Sequence, residues 1–150
     1  MRKLFNNSGF TQTELLLTMG IFVLLSSFAI SNLLGSQRTS SLTGAVDTFV
    51  ADVREQQVKA MVGDTEGTGT LSNYGVHFTT TQYTLYRTAY GTSNYTVTLP
   101  NTVQVSGSEI LFLKGSGEIA AATTVTFTDL TNGRLKTVTI NRYGVVTAVN

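Results

Sequence analysis

The sequence predicts an α+β protein in which a long N-terminal helix precedes an antiparallel β-sheet domain. Three features of the sequence predict this fold class. A run without charged residues, mostly apolar, extends from Leu15 to Leu34, and an amphipathic pattern continues to Val62. From Tyr74 onward, short alternating segments are separated by turn residues. The 150 residues suffice for about one such domain in addition to the apolar run.

The composition excludes several classes of function. The formal net charge is +1, which is far from the basic excess of proteins that bind phosphate backbones. The chain has no cysteine, so a disulfide framework, a thiolate zinc site and a cysteine nucleophile are excluded. The single histidine, His77, lies in a predicted strand, and we interpret it as a strand residue. We therefore predict no enzyme activity, no catalytic residue, no metal and no cofactor.

The apolar run from Leu15 to Leu34 is a candidate transmembrane helix, because about 20 apolar residues suffice to cross a hydrocarbon core. Arg2 and Lys3 precede it, and the positive-inside bias then places residues 1–9 in the cytoplasm and the C-terminal bulk across the membrane. A secretory signal peptide and a simple signal anchor remain alternatives. Neither explains a glutamate, Glu14, at the edge of the run.

Glu14 has a local explanation as a helix cap. Thr11 and Glu14 have the T-x-x-E spacing of a capping box, in which the two side chains satisfy each other's backbone N–H groups at the start of a helix. Such a cap stabilises a helix by about 1 kcal/mol. In this interpretation Glu14 has no role beyond the helix start.

The stretch from Gly9 to Leu17, GFTQTELLL, resembles the processing site of type IV pilins and type II secretion pseudopilins. A short basic leader ends in glycine, phenylalanine follows, and a glutamate stands at the fifth position after the glycine. The resemblance implies that a prepilin peptidase removes the leader, residues 1–9, by cutting after Gly9, and methylates the new amino terminus at Phe10.

The same resemblance implies a pilin fold, in which a long N-terminal helix packs on a C-terminal antiparallel sheet domain and the first part of the helix, residues 10–35, is the transmembrane and assembly segment. It implies that Glu14 attracts the amine of Phe10 in an adjacent subunit during assembly. The partners would be other pilins or pseudopilins in a helical filament, the inner-membrane assembly platform and the membrane itself. The protein would be a single-pass inner-membrane protein, and then part of a periplasmic or extracellular filament. Gln12 and Thr13 depart from the family pattern, which has apolar residues there.

Residues 36–150 are predicted to form a soluble pilin-like domain, with an amphipathic helix over 36–62 and β-sheet over 70–150. The glycine-rich segment 63–69 is predicted to be an exposed loop. Asp64 and Glu66 in this loop suggest calcium, but two carboxylates alone make a poor cage, and a solvated loop is the favoured interpretation.

Nine short strands are predicted, and Asn132-Gly133 is predicted to form a hairpin turn. The C-terminal third resembles the GspH/FimT-like minor pseudopilins, through a strand and glycine turn followed by a last hairpin. The strands are Tyr74–Thr79, Tyr83–Thr88, Tyr95–Leu99, Thr102–Val105, Glu109–Leu113, Glu118–Ala121, Val125–Thr128, Leu135–Asn141 and Val145–Val149.

The resemblance favours a structural minor pilin or pseudopilin subunit of a secretion system or pilus-like filament. The alternative is a FimT-like pilin that binds DNA for uptake, with Arg134, Lys136 and Arg142 as the candidate contacts. Without Arg2 and Lys3 the chain has 8 basic against 9 acidic side chains, so nucleic acid is not the favoured partner.

Overall fold

The computed structural model describes the backbone of residues 11–91 and 94–150, and the side chains of these ranges except 28–39 and 94. The chain divides into two compact units, Met1–Gln37 and Arg38–Asn150. Helix α1 extends over 51 residues, Gln12–Val62. The helix predicted from Phe10 to Val62 therefore has the expected end, while Phe10 lies outside the described residues.

The C-terminal end of α1 has a local cause in the sequence. Gly63 follows the last helical residue and has a φ of 68°, a left-handed conformation that costs glycine little. The N–H of Asp64 then donates to the carbonyl of Lys59 at 2.9 Å, which is the closing bond of a Schellman motif.

In the part of the chain that the structure describes, eight strands follow the helix and form two four-stranded antiparallel sheets. Sheet A has the order β3-β2-β1-β5, and sheet B has the order β4-β6-β7-β8. The hairpin predicted at Asn132-Gly133 is confirmed, because it joins β6 to β7 with Val125 opposite Val138. The strands are β1 (Tyr74–Thr79), β2 (Gln82–Arg87), β3 (Asn94–Thr98), β4 (Val103–Ser106), β5 (Ile110–Phe112), β6 (Thr123–Asp129), β7 (Leu135–Ile140) and β8 (Val146–Val149).

One hydrophobic core joins the C-terminal half of α1 to both sheets. Phe49 of the helix is fully buried, and its ring lies 5.3 Å from that of Tyr83 in sheet A and 5.2 Å from that of Phe127 in sheet B. Leu42, Val46 and Val53 occupy the same helix face at spacings of three or four residues around Phe49, and they are buried too. The amphipathic pattern predicted for this half is therefore confirmed.

The predicted fold class is wrong. It required a pilin fold in which a long N-terminal helix packs on a C-terminal antiparallel sheet domain and the first half of that helix spans a membrane. Among the residues that the structure describes, none belongs to a helix that is long and apolar enough to cross a membrane, and the β part consists of two sheets. The described side chains of the apolar run, 15–27, extend over about 20 Å of helix, against about 30 Å for a hydrocarbon core. The side chains of the remainder, 28–34, lie outside those described.

One predicted strand is absent. Residues 118–121 have no regular strand pairing, although the N–H of Ile119 donates to the carbonyl of Arg142 at 2.9 Å. Gly117, with a φ of 68°, turns the backbone immediately before this segment. The buried side chain of Ile119 then anchors the segment to the core, so its apolar pattern marks an irregular core segment.

Candidate functional site

The first half of α1 carries a large set of exposed apolar side chains, which we call the N-terminal apolar surface. Each of its members has at least half of its side chain exposed. Monomeric soluble proteins rarely leave such contiguous apolar patches uncovered. The members are Leu15, Leu16, Leu17, Met19, Ile21, Phe22, Val23, Leu24 and Leu25.

This surface surrounds the helix. Consecutive helical residues are rotated by about 100°, so nine apolar positions within eleven residues point in every direction around the axis. A helix that is apolar all round is typical of a segment buried on all sides. The arrangement is therefore suited to packing among several neighbouring helices rather than on one face of a single partner.

Glu14 closes a capping box at the N-terminal end of this surface. Its carboxylate accepts the Thr11 backbone N–H at 2.9 Å and the Thr11 hydroxyl at 2.8 Å, and its own backbone N–H donates to the Thr11 hydroxyl at 3.3 Å. The capping geometry predicted from the T-x-x-E spacing is thus confirmed. Both residues are exposed, so the carboxylate is still accessible to a cation from outside the chain.

The predicted processing residues cannot be placed by this structure, because Gly9 and Phe10 lie outside the described residues. Thr11 is the first residue described, and α1 begins at Gln12. The cleavage predicted after Gly9 would therefore leave a new amino terminus two residues before the helix.

The three residues predicted to contact DNA do not form one patch. Arg134 precedes β7, Lys136 lies within it and Arg142 follows its end. The six residues of β7, which lie between the two arginines, extend over about 20 Å. Lys136 is half-buried and opposite Phe127, on the strand face that carries the buried Val138 and Ile140. The structure therefore does not bring these residues together as a phosphate-binding cluster.

A groove of about 620 Å³ lies between the C-terminal half of α1 and the strands of sheet A. Carboxylates, two cations and tyrosine rings line it, and we call it the tyrosine groove. Sequence reasoning did not identify it, because its members come from five separate segments. They are Asp52, Glu55, Gln56, Lys59, Glu66, Tyr74, Leu85, Tyr86, Arg87 and Tyr95.

The charges in the tyrosine groove are engaged with groups of the same chain. The Lys59 ammonium lies 2.9 Å from the Glu55 carboxylate and 3.4 Å from that of Glu66. Burial lowers the pKa of Lys59, but the bonds to Glu55 and Glu66 outweigh it and raise the pKa above its ordinary value. The Arg87 guanidinium donates to the Thr70 carbonyl at 3.0 Å. These contacts fix the loop after α1 to sheet A.

Asp52 and Tyr86, which are among the residues that line the groove, each take part in a tyrosine–carboxylate bond. The Tyr83 hydroxyl donates to Asp52 at 2.5 Å, and the Tyr86 hydroxyl donates to Glu109 at 2.6 Å. Burial, followed by the bond to the carboxylate, raises the pKa of both tyrosines. Burial also raises the pKa of Asp52, although the bond from Tyr83 opposes this rise. Both tyrosines therefore remain protonated donors at neutral pH.

The calcium alternative at Asp64 and Glu66 is not favoured by the geometry. The Asp64 carboxylate accepts the backbone N–H of Glu66 at 2.8 Å, and Glu66 also contacts Lys59. Across residues 11–91 and 94–150, no three His, Asp or Glu side chains converge in a way that could hold a metal ion.

His77 is a strand residue of β1, as predicted. Its ring stacks on that of Tyr90 with 4.0 Å between centroids, and Tyr90 also meets Tyr86 edge to face. This aromatic cluster was not predicted, since Tyr90 lies in a turn outside the strand pattern. A further feature could have been noticed in the sequence: no charged residue occurs between Arg87 and Glu109.

Comparisons with known proteins give no relative for this chain: no protein-family model, no curated protein and no solved structure matches it.

Proposed function

We propose that the protein is a structural subunit of a pilus-like or pseudopilus filament, in which copies or related subunits pack through the N-terminal apolar surface. The observation that carries this proposal is the exposure of nine large apolar side chains on all sides of one helix. Full burial of each such side chain is worth about 1.5–3 kcal/mol. A bundle of equivalent helices would cover them all.

The resemblance of the segment Gly9–Leu17 to prepilin processing sites supports the proposal independently. A peptidase that cuts after Gly9 would create a cationic amine at Phe10, next to the capping box. In the filament the exposed Glu14 carboxylate would bind the corresponding amine of a neighbouring subunit. Loss of one partner from such a pair, once it is buried between helices, costs about 3–5 kcal/mol.

In this proposal the inner membrane is the place of assembly, and the assembly platform and the prepilin peptidase are the partners there. The domain formed by residues 38–150 would lie outside the cytoplasm, in a periplasmic or extracellular filament. The proposal includes no catalytic step, and the charged groups of the tyrosine groove have a structural role in it.

Three variants distinguish the helix-capping role of Glu14 from the recruitment of subunits into filaments through its charge. Glu14→Gln retains an acceptor at the third helical position, which a capping box tolerates, but it removes the charge. Thr11→Ala removes the cap and retains the charge, and Glu14→Ala removes both. We expect the Thr11 variant to enter filaments and both Glu14 variants to remain in the cell-associated fraction, as measured by immunoblots of sheared filaments.

Normal incorporation of Glu14→Gln would show that the charge has no role in assembly. If Glu14→Gln entered filaments while Thr11→Ala and Glu14→Ala were excluded, capping alone would explain the need for Glu14. Mass spectrometry of the protein isolated from cells supplies an independent check, with an expected chain that starts at methylated Phe10. A chain that still carries residues 1–9 in the filament fraction would contradict the processing step.

A further inference from the structure

The outer edges of the two sheets differ in how they are protected. Edge strands expose unpaired backbone groups, and proteins blunt them with short strands, bulges, charges or covering segments. In sheet A, β5 has only three residues. In sheet B, β4 is covered, because the N–H of Val105 donates to the carbonyl of Thr80 at 3.0 Å, and β8 has an irregular register opposite Thr139 and Ile140.

Among the described residues, none of these protections is found at strand β3. In the described part of the chain it is the outermost strand of sheet A and pairs with β2 alone, in unbroken register from Asn94 to Thr98. No Asp, Glu, Lys or Arg occurs between Arg87 and Glu109, so no charge and no proline interrupts the strand. Tyr95 is 69% exposed, and Thr96 and Thr98 are exposed as well. This edge can therefore accept another strand.

The side chains of β3 are self-complementary about Thr96. In an antiparallel pairing of two copies centred on Thr96, each Tyr95 lies opposite Val97 of the other copy, and Thr96 lies opposite itself. Aromatic residues opposite β-branched residues, and threonine opposite threonine, are favourable cross-strand pairs. The Thr96 hydroxyl already lies 3.1 Å from that of Thr84 on β2, so the pairing would extend an existing threonine row.

The proposed pairing also keeps corresponding faces of the two A sheets on the same side. Tyr95 and Val97 lie on the face that carries Leu85 and Tyr83, which packs on α1. An antiparallel pairing about a two-fold axis perpendicular to the sheet keeps this face on the same side in both copies. A shift of the pairing by one residue would place Tyr95 opposite a threonine and remove the match.

From these observations we propose that β3 is a self-association edge, through which two copies of this chain join their A sheets in an antiparallel pairing centred on Thr96. The partner is a second copy, because the strand matches its own sequence and carries no charge that would select a different chain. This contact does not depend on the N-terminal apolar surface.

Cysteine cross-linking tests the register directly, because the chain has no native cysteine. In the proposed pairing the two Thr96 Cα atoms would be about 4.5–5.5 Å apart, which is within disulfide range. The two Thr98 Cα atoms would be about 14 Å apart, which is too far. We expect full-length Thr96→Cys in detergent to form disulfide dimers at least about tenfold more than the matched control Thr98→Cys under mild oxidation.

Equal cross-linking of the two variants, or none in either while circular dichroism reports folded protein, would overturn the proposal. Adding Glu14→Gln to Thr96→Cys should leave the dimer yield unchanged, so failure of the filament proposal would not be mistaken for failure of this one. If Thr96→Cys does not fold, hydrogen exchange of the unmodified chain decides. The β3 amides should become slower to exchange as the protein concentration rises, and no change with concentration would contradict the pairing.

Discussion

The two halves of α1 share one backbone conformation but differ in the arrangement of their apolar residues. In the C-terminal half, Leu42, Val46, Phe49 and Val53 lie on one face and are buried in the domain of residues 38–150. In the N-terminal half, apolar residues from Leu15 to Leu25 lie on every face and are exposed. The comparison shows how the spacing of apolar residues decides whether a helix can be covered by its own chain.

Truncation of Phe49 should have the largest effect, because this ring joins α1 to both sheets. We expect Phe49→Ala to lower the free energy of unfolding by about 3–5 kcal/mol, as measured by urea denaturation of the full chain in detergent. The matched control is Leu24→Ala in the other half, where the side chain is 64% exposed and a change within about 0.5 kcal/mol is expected. Similar losses in both variants would contradict the difference between the halves.

Gly144 offers a second test of how tightly the C-terminal half of α1 is held. Its φ is 78°, and a Cβ there would clash with the carbonyl oxygen of Gly117 and lie 2.7 Å from the side chain of Gln57. We expect Gly144→Ala to destabilise the protein by about 2–4 kcal/mol, from the left-handed conformation and the clash together.

The control for this variant is Gly133→Ala, because Gly133 has a φ of 68° but no atom within 4 Å of the position that an alanine methyl group would occupy. It should cost about 1–2 kcal/mol, which is the conformational part alone. Thermal unfolding of both variants provides the measurement. Equal losses would mean that the contact with α1 adds nothing.

The smallest expected effect concerns alkaline pH. Burial raises the pKa of Tyr83, so its phenol keeps its proton in the folded state after the unfolded chain begins to ionise near pH 10. The unfolded state then binds fewer protons, and stability that is fully present below pH 10 falls as the pH rises above it. We expect Tyr83→Phe to weaken this fall in urea titrations between pH 9 and about pH 11, with Tyr143→Phe at an exposed ring as control. An unchanged slope in Tyr83→Phe would exclude this group as the cause.

The sequence predicted the local elements well wherever a short-range signal exists. Gly63 ends α1, Asn132-Gly133 makes the β6–β7 hairpin, and Thr11 with Glu14 caps the helix. Each of these features depends on contacts within a few residues, which the order of residue types determines.

Pairings between distant segments could not be predicted in the same way. β5 pairs with β1 in sheet A, with Ile110 opposite Val76, whereas β4, which lies between β3 and β5 in the sequence, pairs with β6 in sheet B. Alternating apolar residues mark the buried face of a strand but not its partner, so the division into two sheets was not predictable. The basic residues Arg134 and Arg142 are near in sequence, but they lie at opposite ends of β7 because the strand between them is extended.

The bond from the Gln57 side chain to the carbonyl of Tyr143, at 2.7 Å, joins positions 86 residues apart. During translation, α1 is synthesised long before Tyr143. Until Tyr143 leaves the ribosome, the Gln57 side chain lacks this hydrogen-bond acceptor. The domain therefore acquires this contact only after Tyr143 has been made. A nascent chain that stalls before Tyr143 would lack this bond between α1 and the end of the β6–β7–β8 sheet.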